Sequence, residues 1–211
     1  MITSKTNPKM HGWNLVGNPF TVAATMTDGQ DQAKSYYVIS GQTVVPYVGT
    51  ETTIEPFTGV MVKAEGTGES VYFTKASSNA APQPNNGSLH IALTQANTRG
   101  NALLDNAIVS FNEGSQLGKF YFGEQNANIY IPQGAEEYAI VSVGNVGEIP
   151  VNFKAHENGT YTLTVSPTLN SQLSTLNYLH LIDNMTGADV DLLTPPACGH
   201  PLTEGDVPLF L

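Results

Sequence analysis

A single cysteine, Cys198, leaves this chain unable to form an internal disulfide, which excludes a disulfide-stapled miniprotein. Basic residues are scarce as well. Lys and Arg total 8 against 18 Asp and Glu, Arg99 is the one arginine, and the formal net charge is −10. A nucleic-acid binder neutralises phosphates with basic side chains, and this chain would repel them. The same balance opposes adhesion to anionic lipid. Charged residues of both signs make up 12% of the chain, about half the usual share. Long amphipathic helices need Lys, Glu and Arg on their wet faces, so strands and turns are favoured instead. No apolar run is long enough to span a bilayer. The opening MITSKTNPKMHGW lacks the apolar stretch of a signal peptide, so an exported protein would carry its signal upstream.

What the chain does have is enough apolar material for a packed interior: 40% of 211 residues. That length suits one large β domain or two of about 100 residues each. The clearest stretch is Tyr178 to Leu193, where Leu179, Leu181, Val190 and Leu192 alternate with His180, Ile182, Asp189 and Asp191. A period of two marks a strand pair, and Asp183-Asn184-Met185-Thr186-Gly187 supplies turn residues between its arms.

The rest of the chain repeats this grammar in runs of three to seven residues: Tyr36 to Ile39, Thr43 to Tyr47, Thr52 to Ile54, Leu89 to Leu93, Ala107 to Phe111, Asn128 to Ile131 and Glu137 to Val143. Such spacing means a meander or sandwich, not βαβ alternation. Gly59 to Ala64 and Ser70 to Thr74 read as a pair around the turn Glu65 to Glu69. Glu148 to Ala155 and Thr160 to Val165 read as a hairpin across His156-Glu157-Asn158-Gly159, with Asn-Gly as the turn. Leu103-Leu104-Asp105-Asn106 reads as a single helical turn. Residues 1–10 are polar and expected to fray. Residues 76–87, almost all small or polar, read as a linker. The tail 194–211 holds four prolines, which cannot donate to a ladder, and is expected to be irregular.

Gly12-Trp13-Asn14-Leu15-Val16-Gly17-Asn18-Pro19-Phe20, followed by Ile54-Glu55-Pro56-Phe57-Thr58-Gly59-Val60-Met61-Val62-Lys63-Ala64, resembles a module repeated in secreted and surface proteins of Bacteroidetes. There the pattern runs roughly GWNLIGNPY, then IxPGxGFxVKA. The closing YLHLIDNMTGADVDLL, with Ile149-Pro150-Val151 and Glu157 to Leu163 before it, is similar to C-terminal β domains of the same proteins. The resemblance implies non-catalytic β modules of large exported proteins, located outside the cell or on its surface. Such domains usually finish with one or two further strands, whose place here is taken by the Pro-rich tail. A last sheet without them would offer an open edge for dimerisation by strand addition.

Asp183, Asn184, Asp189 and Asp191 are oxygen donors of the kind Ca²⁺ takes, but their spacing is not that of an EF-hand and they are good turn formers. His11, His90, His156, His180 and His200 show no metal-binding spacing. Trp13, Tyr36, Tyr37 and Tyr47 could form a platform for a sugar ring. Trp13 reads better as core, while adjacent Tyr36 and Tyr37 point to opposite faces, which would leave one exposed. Glycoside hydrolysis requires facing carboxylates; Glu136 and Glu137 are adjacent and diverge, and Glu113, Glu124 and Glu148 have no supporting motif. Asn158-Gly159-Thr160 is a glycosylation sequon that here reads as a turn.

The expectation is an all-β protein of two antiparallel β-sandwich (jelly-roll-like) domains in tandem: 11–75, a linker 76–87, a larger sandwich 88–193, and the tail 194–211. No catalytic, cofactor-binding or metal residue is assigned, no cofactor is expected, and the ligand is undefined. The expected role is adhesion, scaffolding or spacing beside other domains of a larger exported protein, in contact with a glycan or host surface. Neither nucleic acid nor membrane insertion is expected. The alternative is a carbohydrate-binding module using exposed tyrosines.

Overall fold

Gly59 to Lys63 (GVMVK) holds three consecutive buried apolar residues, Val60, Met61 and Val62, where a strand with one wet face would alternate. A continuous apolar strand is one covered on both faces, and that fact sets the architecture. In the computed structural model, which describes residues 11–41, 43–76, 87–97, 100–112, 114, 116–122, 126–144, 147–168, 178–184, 186–193, 200–202 and 207–210, regular structure is entirely β.

The first part of the chain forms β1 (Trp13–Gly17), β2 (Ala24–Thr27), β3 (Tyr36–Ser40), β4 (Thr43–Tyr47), β5 (Gly59–Lys63) and β6 (Tyr72–Lys75). Four of these make an antiparallel sheet in the order β1-β5-β3-β4, and β2 pairs β6 in a separate two-stranded ribbon. One face of the four-stranded sheet packs Tyr36, Val60 and Val62 against Met26, Ile54 and Phe73. Its other face, with Tyr37, Val44 and Met61, packs against Ile108, Leu117, Phe120 and Ile140 from the second part of the chain. The sheet is a middle layer.

The second part supplies β7 (Ser88–Asn97), β8 (Gly100–Ser110), β9 (Leu117–Gly118), β10 (Ala127–Gln133), β11 (Glu136–Ser142), β12 (Pro150–Ala155), β13 (Tyr161–Pro167), β14 (His180–Asp183), β15 (Ala188–Asp191), β16 (His200–Leu202) and β17 (Val207–Phe210). They form one sheet in the order β15-β14-β17-β12-β10-β11-β8-β7-β13-β16, with β9 added beside β11. The sheet curls into a half-barrel around Leu89, Ile91, Ile129, Phe153, Tyr161 and Leu163. Among the described residues all strand pairings are antiparallel except β11 with β8. The expected all-β, sandwich-like class is what the chain forms.

Several local expectations need correction. The Tyr178–Leu193 stretch does make an antiparallel pair, β14 with β15. The Asn158-Gly159 arms do not: β12 pairs β10 and β17, while β13 pairs β7 and β16. Their apolar faces meet across the interior instead, with the Phe153 and Tyr161 rings 5.3 Å apart. Tyr161 donates its hydroxyl to the Glu157 carbonyl at 2.7 Å, which turns the chain through a corner where a hairpin would reverse it. Likewise β5 and β6 are not partners; β5 joins β1 and β3, and β6 joins β2.

Leu103 to Asn106 lies inside β8, not in a helical turn. Leu93 faces Asp105 while Thr94 faces Leu103, so Leu104 is the extra residue of a β-bulge. The tail is not irregular throughout. β17 inserts between β14 and β12, and β16 lies at the sheet's far edge, where Pro201 loses no ladder bond on its open side. Val207–Phe210 thus adds a strand where the Pro-rich tail was expected to be irregular. The proposed frayed segment 1–10 and most of the proposed linker lie outside the described residues.

Candidate functional site

Chemistry-bearing side chains gather where the middle layer meets the half-barrel. Trp13 from β1 and Tyr37 from β3 enclose Phe120, with ring centroids 4.8 to 5.9 Å apart. The alternation of β3 explains the burial of both tyrosines. Tyr36 and Tyr37 do point to opposite faces, but each face is covered, and they are 2% and 1% exposed. This corrects the expectation that one of them is open to a sugar. Tyr36 stacks on Tyr47 and shares a hydrogen bond with the Thr52 hydroxyl at 3.1 Å. Burial pushes both hydroxyls up from their ordinary pKa, Tyr37 the further, and the Asp105 carboxylate adds to the shift at Tyr37.

Beside the aromatic cluster lies an ion pair that the sequence reading missed. Lys119 Nζ is 2.6 Å from Asp105 Oδ1, and both side chains are 2% exposed. Lys119 also donates to the Asn106 carbonyl at 3.2 Å. Asp105 Oδ2 accepts the Ile129 N–H at 2.9 Å, and Oδ1 accepts the Asn106 N–H at 2.9 Å. Burial pulls the Lys119 amine down, with Asp105 working the other way. The available signal was Asp105 itself, which shares a strand face with Ala107 and Val109, a position where a carboxylate needs a partner. Nearby, the Tyr121 hydroxyl donates to Glu137, and burial followed by that contact raises its pKa. The Lys63 side chain lies over Gly118, its Nζ 2.8 Å from where a Cβ would stand.

A second cluster joins the two parts of the chain. Glu51 accepts the Ser88 hydroxyl at 2.9 Å and the Asn112 amide at 2.9 Å; Ser88 Oγ also meets His90 Nε2 at 3.0 Å and Thr168 Oγ1 at 3.1 Å. Serine, histidine and a carboxylate are together, yet the order is wrong for a nucleophilic triad. The carboxylate holds the hydroxyl instead of orienting the imidazole, and Ser88 is fully buried. The group acts as a polar clasp. A cleft of about 210 Å³ opens at the same seam, lined by Asp28, Gln32, Lys34, Ser35, Gln116 and Tyr138 among others.

The remaining candidates stay apart. Asp183 binds the Thr186 N–H and hydroxyl, Asp189 pairs with His180 Nδ1 at 2.6 Å, and Asp191 caps the Leu193 N–H at 2.8 Å. Each carboxylate is thus committed to its own local turn or strand contact. His156 Nε2 lies 3.2 Å from the Asn128 amide. Among the described residues no three His, Cys, Asp or Glu side chains converge as a metal site would require. Glu113, Glu124 and Cys198 lie outside the described residues. No known protein family, curated protein or solved structure matches the chain.

Proposed function

We propose that this chain is a non-catalytic β module of an exported bacterial surface protein, whose task is to hold neighbouring parts at a fixed distance and angle. The observation that supports this reading is the middle sheet, packed on both faces. The Trp13–Tyr37–Phe120 cluster and the Glu51 clasp tie the first six strands to the half-barrel through apolar burial and buried hydrogen bonds together. A body joined in that way transmits orientation from one end to the other, which a scaffold or spacer needs and a flexible linker does not supply. The resemblance of the Gly12–Phe20 and Ile54–Ala64 stretches to Bacteroidetes surface modules points the same way. Tyr36 and Tyr37, two of the tyrosines on which the sugar-binding alternative leaned, are buried.

Residual dipolar couplings test the mechanical part. Amides of β1, β3 and β5 and amides of β7, β8 and β13 are expected to fit one alignment tensor; two independent tensors would sink the rigid-spacer reading. Protease shaving of intact cells that make the parent protein tests the location. Peptides of this chain are expected in the released fraction, and their absence while other surface proteins are released would count against it.

A further inference from the structure

We propose that the side chains of Lys119 and Asp105 become joined by an internal amide bond, formed by the folded chain itself. The proposal stands independently of the spacer reading, because it rests on the geometry of the pair alone.

A buried ammonium carries three donors. Among the described residues Lys119 Nζ has two acceptors, Asp105 Oδ1 and the Asn106 carbonyl. One proton is therefore left unpartnered in a place closed to water, and two full charges have been desolvated to make the contact. An amide removes both costs. Its nitrogen keeps one N–H, for which the Asn106 carbonyl at 3.2 Å is the acceptor, and its oxygen, the former Oδ2, keeps the Ile129 N–H at 2.9 Å. The contact given up is the Asn106 N–H to Oδ1.

The reaction balances without any outside reagent. One ammonium proton passes along the 2.6 Å hydrogen bond to Oδ1, which frees the nitrogen lone pair. The amine attacks Cγ, and the charge that develops on Oδ2 faces the Ile129 N–H, placed as an oxyanion donor. The C–Oδ1 bond breaks, and Oδ1 leaves as water with the two protons that nitrogen has lost. In bulk water, condensation of an amine with a carboxylate is unfavourable, but groups held at contact distance act with effective molarities of about 10⁵–10⁸ M. Burial lowers the lysine pKa, which favours the neutral amine that the step needs. The fields of the Asp105 and Glu137 carboxylates oppose that lowering without reversing it.

The test is the intact mass of the purified full chain under denaturing conditions, followed by a tryptic map. The expected mass lies one water below the sequence sum. Trypsin does not cut after an acylated lysine, so residues 100–154 are expected as one peptide, short by one water, with fragmentation blocked between Asp105 and Lys119. Asp105→Ala should restore the full mass and the cut after Lys119. The wild-type reading needs no variant to fold. Full mass with separate peptides 100–119 and 120–154, both at once and after prolonged incubation at neutral pH, overturns the proposal. So does a missing water that maps elsewhere, for instance to a succinimide at Asp28-Gly29.

Discussion

The Tyr37 hydroxyl accepts the backbone N–H of Phe120 at 3.2 Å, across 83 residues of chain. The same hydroxyl donates to the Gly118 carbonyl at 3.4 Å, so one side chain of the middle sheet holds the backbone on both sides of Lys119. Tyr37→Phe keeps the ring and its packing but strands a buried N–H. The expected cost is about 1–3 kcal/mol, the desolvation penalty of an unpaired donor. Urea unfolding measures it as a lower midpoint with an unchanged slope. A midpoint equal to wild type would mean that water reaches Phe120 and that the seam is looser than described.

Phe57 makes the opposite case, a residue at odds with its backbone. It sits at φ 57°, in the turn closed by the Thr58 N–H on the Glu55 carbonyl, and its ring is 70% exposed. Pro56 followed by a left-handed residue is a type II turn, whose third position favours glycine. A non-glycine residue in that region costs about 1–2 kcal/mol, and glycine's extra freedom in the unfolded chain offsets about 0.5–1 kcal/mol. Phe57→Gly is therefore expected to stabilise the chain slightly, and Phe57→Val to destabilise it, since β-branching suits that conformation least. Thermal unfolding of both variants would decide; destabilisation by glycine would show that the exposed ring makes contacts worth more than its strain.

Much of the strand content was legible from alternation, and most of the partner choices were not. Leu163 and Val165 announce a buried face from the sequence, yet nothing in them says that β13 lies beside β7 and not beside β12. Sequence neighbours joined by Asn-Gly look like hairpin partners because local pairing is the commonest outcome. A sheet that curls over its own interior can set two such arms facing each other across the core instead. Tyr36 and Tyr37 were read correctly as opposed, but opposition implies exposure only where one face is wet, and the third layer was invisible. The bulge at Leu104 breaks the period in the middle of β8 and so hid both the strand and the buried Asp105. Lys119 went unseen because its partner did.

Glu51 gives a direct measure of how firmly the two parts of the chain are joined. Its carboxylate takes hydrogen bonds from Ser88 and Asn112, both of which are buried. Glu51→Ala is expected to cost about 1.5–3 kcal/mol through the loss of hydrogen bonds to a charged group. Paired with Ser88→Ala in a double-mutant cycle, it should yield a coupling energy within the range of about 0.5–3 kcal/mol found for residues in contact. A coupling indistinguishable from zero would mean that the clasp contributes geometry but no cohesion.

Alkaline pH should loosen the fold before acid pH identifies any single weak point. Tyr36 and Tyr37 have their pKa raised above 10.0 by burial. Above pH 10.0 the unfolded chain releases phenolic protons that the folded chain retains, so unfolding is favoured as pH rises; their stabilising contribution is intact below pH 10.0 and is lost progressively above it. Each buried tyrosine then contributes a slope of at most about 1.4 kcal/mol per pH unit, and half-exposed Tyr121 adds a smaller share of the same sign. Lys119 works against them if its amine is free. Its lowered pKa makes the unfolded chain bind the extra proton up to 10.5, so stability rises with pH until that point. A free amine thus flattens the decline between pH 10.0 and 10.5, whereas an amide-linked Lys119 lets it begin at full slope. Urea midpoints collected in small steps from pH 9 to pH 11 would resolve the onset, and Tyr37→Phe should remove one tyrosine's share of the slope. Midpoints that stay level through pH 11 would mean that neither tyrosine is as sealed from water as its place in the middle layer requires.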